Sequence, residues 1–126
     1  MTDITPAIPV DRQVIQSYGD GGFRISDVRH EGAVIVLPGR TVPWPVGSIA
    51  ELTSDSLAPV HEAAADVGIL LLGCGPQMTF VPSEVRRQVR EWGIVIDPMD
   101  TGAACRTYNV LLSEARRVAA ALLPVD

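Results

Sequence analysis

Three short apolar runs organise the chain from residue 33 onward. The segments Ala33 to Leu37, Ile69 to Leu72 and Ile94 to Ile96 are continuously apolar rather than alternating. Continuous apolarity is typical of strands buried on both faces, as in a sheet that helices cover. We therefore predict three core strands.

Helical patterns separate these runs. A first helix is expected to begin between Ser54 and Ser56, which places Pro59 in the opening turn, where proline is tolerated. A second helix is expected over residues 83–92. Because crossovers between successive strands are right-handed, this order of elements predicts parallel strands.

The last quarter of the chain combines polar residues at its start with an alanine-rich amphipathic stretch. Asp100 and Thr101 are good N-cap residues, so we predict one long helix that continues to Leu123. Its apolar side is expected to cover the sheet. Its opposite side repeats polar residues at intervals of three or four, namely Arg106, Asn109, Ser113 and Arg117.

The N-terminal third adds an arm and a hairpin. Residues 1–11 contain two prolines and little periodicity, and we expect a loosely held arm. Strand-like pieces on both sides of Gly19 to Gly22 predict an antiparallel hairpin. Residues 12–126 are therefore predicted to form a single three-layer α/β domain. Its central sheet is expected to be mixed but mostly parallel, with helices packed on it and the hairpin before it.

Charge and composition exclude several classes of function. The chain has 126 residues and a net charge of −5, and all 10 of its basic residues are arginine. The absence of lysine excludes a Schiff-base lysine and the phosphate-binding lysine of a Walker loop. The acidic balance argues against nucleic-acid binding, which needs a concentrated basic face.

Targeting and metal signals are also missing from the sequence. Its first residues lack the basic and apolar regions of a signal peptide, and no apolar run approaches the ~20 residues of a membrane-spanning helix. Two cysteines and two histidines without ligand spacing do not make a metal site. We expect a cytoplasmic protein without metal or cofactor, which would reach a membrane only through a partner.

The best place for chemistry is the edge of the sheet where the strands end. In open α/β sheets, ligands bind outside the carboxyl ends of the strands, which here feed the loops 38–46, 73–79 and 97–102. The candidate binding residues in these loops are Arg40, Trp44, Gly73, Cys74, Gly75, Gln77, Asp97, Asp100 and Thr101. The polar side of the last helix adds the candidates Arg106, Asn109 and Arg117.

Several of these residues have two interpretations. Trp44, in an irregular segment from Arg40 to Gly47, either covers the core or anchors a partner. At the start of the last helix, Asp100 is either the N-cap or part of a functional site, which would be an anion site or a catalytic carboxylate. Cys105, in the first turn of that helix, is either a buried thiol or a reactive one. The segment Gly73 to Gly75 resembles part of a dinucleotide-binding turn, but the third glycine of that turn is missing. A sharp exit from a strand also requires glycines.

The segment MDTGAACRTYNVL at residues 99–111 resembles the signature of a small family of unknown function, whose mitochondrial members include an assembly factor of complex I. The segments at 36–38, 70–75 and 116–122 and Trp44 are similar too. The resemblance implies a three-layer α/β fold and, for the mitochondrial members, a role in assembling the membrane-bound NADH dehydrogenase. It brings no catalytic residue. Pro98 departs from the family pattern, and we expect it to end the third strand early.

Two classes of function stay open. The first is a non-catalytic interaction protein, whose partner would be a respiratory-complex subunit or assembly intermediate. The second is an enzyme or small-molecule binder that holds an anionic metabolite at the strand ends. No serine, cysteine or histidine has the neighbours of a catalytic nucleophile, which favours the first class.

Overall fold

A small antiparallel sheet comes first in the fold. The structure, a computed structural model, describes residues 12–126, so the arm expected at residues 1–11 lies outside the described residues. The predicted hairpin is confirmed, and a third strand that the sequence did not indicate extends it. Its turn uses left-handed backbone at Asp20 (φ 53°) and Gly21 (φ 78°), as the tight turns of hairpins require. The strands are β1 (Ile15–Gly19), β2 (Gly22–Ile25) and β3 (Val28–Glu31).

A mixed five-stranded sheet forms the centre of the domain. Its strands are β4 (Val34–Val36), β5 (Thr41–Pro43), β6 (Ile69–Gly73), β7 (Val95–Met99) and β8 (Val118–Leu122). Their spatial order is β5-β4-β8-β6-β7. β6 runs parallel to β7 and β8, whereas β4 runs antiparallel to β5 and β8. The predicted α/β class, with a mixed sheet after an antiparallel start, is confirmed. The expectation that all three apolar runs form parallel strands is wrong for β4, which runs opposite to β6 and β7.

Three α-helices cover the central sheet. They are α1 (Ala58–Glu62), α2 (Ser83–Glu91) and α3 (Thr101–Ser113). Pro59 lies in the first turn of α1, as predicted. Short 3-10 turns stand at Ile49–Glu51, Asp55–Leu57 and Ala64–Asp66. The sequence predicts an irregular segment from Arg40 to Gly47. This prediction is wrong for part of the segment, because β5 (Thr41–Pro43) lies within it.

Two hydrophobic clusters lie on the two faces of the central sheet and make three layers. On one face, α1 and α2 cover Ile35, Leu70, Leu72 and Ile96. On the other face, α3 and the small sheet together cover residues of β4, β6 and β8. That second cluster contains Phe23, Ile25, Val34, Leu71, Ala104, Tyr108, Leu112, Val118 and Ala120.

The last helix is much shorter than predicted. It ends at Ser113, and residues 118–122 form the strand β8 in the middle of the sheet. Ala115 adopts a left-handed conformation (φ 61°), and the Arg116 N–H donates to the Leu111 carbonyl, which closes the helix. All five residues of β8 are buried. Because a short apolar run buried on both faces has no strand period, its pattern also fits a helix.

Pro98 does not end β7 early, so that expectation is wrong. The Val95 N–H donates to the Gly68 carbonyl, and the Met99 carbonyl accepts from the Cys74 N–H. Residues 95, 97 and 99 therefore direct their backbone groups toward β6, and Pro98 directs its own toward the open edge of the sheet. An edge position needs no N–H donor, so proline fits there.

Candidate functional site

Thr101 joins the ends of three strands. Its side chain is completely buried; Oγ1 accepts a hydrogen bond from the Gly75 N–H (2.9 Å) and donates one to the Leu123 carbonyl (2.6 Å). Its own N–H donates to the Gly75 carbonyl at 2.8 Å. A Cβ on Gly73 would stand 3.1 Å from Thr101 Oγ1 and 2.8 Å from Leu122 Cδ2, which explains glycine at that position. The structure thus brings Gly73, Gly75 and Thr101 together, and their polar groups hold the strand ends.

Asp100 caps the start of α3. Its Oδ1 accepts from the Ala103 N–H at 2.9 Å, and its carbonyl accepts from the Ala104 N–H at 2.9 Å. The N–H of Thr101 is already bonded to Gly75. The capping interpretation is confirmed, and most N–H groups that would have bound an anion have partners.

Both cysteines are buried free thiols. The Cys74 Sγ lies 3.7 Å from the Leu72 carbonyl and 3.8 Å from the Thr79 carbonyl, to which it can donate. Burial raises the pKa of Cys74, and it raises the pKa of Cys105 to about 12 despite the opposing charge of Arg106. Since the thiolate is the nucleophile, this environment favours the buried-thiol interpretation over a reactive one.

A crevice of about 380 Å³ opens beside these strand ends. Residues 47–50, 74–76, 79, 123 and 124 line it, so Cys74 and Gly75 are the candidates that reach it. Among residues 12–126, no charged side chain lines this crevice. Asp97 faces a different groove, which is described below.

The other loop candidates lie apart from that crevice. Trp44 is buried, and its Nε1 donates to the Ser56 carbonyl at 3.0 Å, so it covers the core, as one interpretation predicted. Gln77 is exposed on the loop after β6. Arg40 follows β4, which runs antiparallel to β8, so it lies at the opposite end of the sheet; its Nη2 is 3.9 Å from Glu62 Oε2.

The predicted polar stripe of the last helix is divided between two elements. Asn109 Oδ1 accepts from the Ile15 N–H (3.1 Å) and Nδ2 donates to the Ile15 carbonyl (2.6 Å), so this amide fastens β1 to α3. Arg106 is exposed on the same helix, and its Nη1 lies 3.3 Å from the Tyr18 hydroxyl. Arg117 lies beyond the helix, and its Nη1 donates to the Ala65 carbonyl at 3.1 Å. A single helical stripe that includes Arg117 is therefore wrong.

A groove beside β7 is the feature that sequence reasoning missed. It measures about 420 Å³ and is lined by Gly68, Ile69, Val95, Asp97, Arg116 and Arg117; we call it the β7 groove. Val95 is 62% exposed there, although the apolar run around it predicts burial on both faces. One residue in the sequence could have indicated this groove. Asp97 follows the apolar run directly, and a charged side chain at that position indicates that one face of β7 is exposed to water.

Residues 12–126 contain neither a membrane-spanning helix nor a cluster of metal-ligating side chains. No helix in this range has the length and apolar character to cross a bilayer. No three histidine, cysteine, aspartate or glutamate side chains in the same range are grouped so as to hold a metal ion.

Known proteins resemble this chain over most of its length. An uncharacterised protein of Rhodobacter capsulatus is 37% identical over 119 residues, which cover 94% of this chain and 86% of the relative. The zebrafish protein named NADH dehydrogenase [ubiquinone] 1 alpha subcomplex assembly factor 3 is 36% identical over 111 residues. These residues cover 88% of this chain but 64% of that protein, so the chain spans less than two thirds of the assembly factor.

Solved structures share the fold. The crystal structure of an outer membrane protein from Bartonella henselae superposes with a TM-score of 0.86 at 38% identity, covering 91% of this chain and 97% of that one. A Mth938-like domain of Bordetella pertussis, solved by NMR, gives a TM-score of 0.82 at 30% identity, with 98% and 92% covered. The model of the family described as protein of unknown function (DUF498/DUF598) matches residues 15–123. This chain therefore belongs to the DUF498/DUF598 family.

Proposed function

We propose that this protein is a non-catalytic assembly factor, which binds a subunit or an assembly intermediate of a respiratory NADH dehydrogenase. The observation that carries the proposal is the 36% identity to a complex I assembly factor over 111 residues, which cover 88% of this chain. Such similarity over a whole domain supports a shared function. The bacterial relative at 37% identity is uncharacterised.

The roles of the polar residues support binding rather than chemistry. Asp100, Thr101 and Asn109 use their side chains in hydrogen bonds that join elements of the fold. The exposed arginines Arg106 and Arg117 have only neutral oxygen partners among residues 12–126. Arginine is over-represented at the energetic centres of protein interfaces, so these residues are suited to a protein partner.

Deletion of the gene in its host tests this function. We expect the deletion strain to lose assembled NADH dehydrogenase on native gels, together with NADH:quinone oxidoreductase activity in its membranes. Expression of the chain from a plasmid should restore both. Normal amounts of the assembled enzyme in the deletion strain would contradict the proposal.

An anionic metabolite at the strand ends is the weaker alternative. Within the part of the chain that the structure describes, no charged side chain lines the crevice there. At the start of α3, Asp100 Oδ1 accepts from the Ala103 N–H and the Gly75 carbonyl accepts from the Thr101 N–H. A thermal-shift screen with carboxylates and phosphates distinguishes the two functions. A saturable rise in melting temperature that is lost on Cys74→Leu, which would fill the crevice, would favour the metabolite.

A further inference from the structure

The central sheet is incompletely covered on its α3 face. There α3 packs with Leu71 of β6 and with Val118 and Ala120 of β8, and the small sheet packs beyond them over β4. β7, at the end of the sheet, receives little cover, because Val95 is 62% exposed and Asp97 is exposed. A strip of surface therefore continues past α3 to the open edge of the sheet, with Val95 and the half-buried Ile69 as its apolar side chains and the carboxylate of Asp97 beside them.

Two arginines stand at one end of this strip. Arg116 and Arg117 line the β7 groove, and neither forms an ion pair within residues 12–126. The Arg117 backbone is fixed, because its carbonyl accepts the N–H groups of Gly68 (2.8 Å) and Ile69 (3.2 Å). The lining also holds Asp97, so two arginines stand against one carboxylate, and none of the three is ion-paired within residues 12–126. In a chain with a net charge of −5, this locally positive groove is complementary to an acidic segment.

The edge of β7 does not favour an added strand. Residues 96 and 98 direct their backbone groups outward, and Pro98 has no N–H to donate. Proline on an edge strand opposes edge-to-edge pairing. The occupant would therefore contact side chains of the strip rather than extend the sheet.

The space beside α3 has the dimensions of one helix. Neighbouring strands are about 4.8 Å apart and packed helices are about 8–10 Å apart, so a helix beside α3 would lie over β7 and its open edge. Such a helix would cover Val95 and the half-buried Ile69 and would complete the layer that α3 begins.

We propose that the β7 groove binds an amphipathic helix of a protein partner, with an apolar stripe over Val95 and Ile69 and carboxylates against Arg116 and Arg117. The inference rests on the proposed function, because it names the chemistry of the partner segment that an assembly factor would hold. Each acidic residue of the helix would meet a guanidinium, which pairs with carboxylates in bidentate geometry.

Site-directed crosslinking in the host tests the groove. The full chain would carry the photocrosslinker p-benzoylphenylalanine in place of Val95. A control chain would carry it in place of Val28, a valine of β3 that is 54% exposed. We expect a crosslink from position 95, and none from position 28, to a helical segment of another protein with clustered carboxylates. A crosslink to a second copy of this chain, to a segment without carboxylates, or from both positions equally would overturn the inference.

Charge exchange then tests the arginines. We expect Arg116→Glu with Arg117→Glu to reduce the crosslink from position 95 by about tenfold, and Glu→Arg changes in the captured helix to restore it. The pair Arg86→Glu with Arg87→Glu on α2 changes the net charge equally on the other face and should have no effect. If the variant with Arg116→Glu and Arg117→Glu has an altered circular dichroism spectrum, the variant with Arg116→Gln and Arg117→Gln is used in its place.

The two proposals fail in different ways. If the arginine variants crosslink as the unmodified protein does, the groove assignment is wrong, whatever the deletion strain shows. If the deletion strain assembles its NADH dehydrogenase normally but the crosslink behaves as expected, the groove is right and the assigned complex is wrong.

Discussion

At the scale of single residues, Thr101 is the polar side chain on which the strand ends depend. We expect Thr101→Val, which has nearly the same shape, to lower the free energy of unfolding by about 2–4 kcal/mol, because it leaves the Gly75 N–H and the Leu123 carbonyl buried without partners. Urea titration measures the change. Thr101→Ser keeps the hydroxyl and should cost about 1 kcal/mol. Equal losses in the two variants would contradict the importance of the hydroxyl.

The thiol of Cys105 makes stability depend on pH. Burial raises its pKa from an ordinary value near 9 to about 12. Between these values the unfolded chain loses the proton and the folded chain keeps it, so the free energy of unfolding should fall as the pH rises from about 9 toward 12, by up to about 1.4 kcal/mol per pH unit. Below about pH 9 this contribution is fully present. Burial also raises the pKa of Tyr108, which acts in the same direction at higher pH.

Urea midpoints at several pH values up to about 11 measure this dependence. The Cys105→Ala variant should show a shallower decline than the unmodified protein, whereas Cys74→Ala should remove less of it, because Cys74 lies in a less desolvated environment. A Cys105→Ala curve parallel to that of the unmodified protein would show that another group causes the decline.

At the scale of elements, the amide of Asn109 holds the small sheet on α3. Two hydrogen bonds join it to both backbone groups of Ile15, and the amide acts as a strand neighbour would. We expect Asn109→Ala to raise the hydrogen-exchange rates of β1 and β2 by about tenfold while β6 and β8 stay protected, because only the attachment of the small sheet is weakened. Ser113→Ala is the control, since Ser113 Oγ bonds only to Val110 in its own helix. Uniformly faster exchange in both sheets would contradict this role.

The elements also show how far the sequence could predict the fold. Runs flanked by clear turn residues, such as β6, whose last residue is Gly73, and α2 after Pro82, stand where the pattern places them. The sequence predicts a helix over β8 because alanine and leucine favour helices and because no glycine or proline stands between Ser113 and Val118. Ala115 takes the left-handed position that glycine would have signalled. The neighbours β4 and β6 decide that residues 118–122 are a strand, and these contacts are distant in sequence.

Only part of the candidate site is predictable from the sequence: Gly73, Gly75 and Thr101 meet at the strand ends, whereas Arg40, Trp44 and Gln77 lie apart from them. The family-like motif did place Asp100 and Thr101 beside Gly75. The Thr101 hydroxyl joins the strand ends, and the Asp100 carboxylate caps α3. A sequence cannot distinguish these two uses from ligand binding. The β7 groove escaped prediction because it depends on how far α3 reaches across the sheet, and the length of α3 was itself overestimated.

At the scale of the whole molecule, the sheet depends on its last strand. β8 lies between β4 and β6, and neither of these strands contacts the other without it. We expect a chain truncated after Ala115 to remain unfolded, although it contains the three α-helices and seven of the eight strands that residues 12–126 form. A chain truncated after Pro124 keeps β8 and loses the hydrogen bond from the Gly21 N–H to the Val125 carbonyl, so it should fold with a small loss of stability. Heteronuclear NMR spectra and limited proteolysis separate these outcomes. Dispersed amide signals from the shorter chain would mean that the first sheet and the helices form a stable domain without the central strand, which would contradict the dependence argued from the strand order.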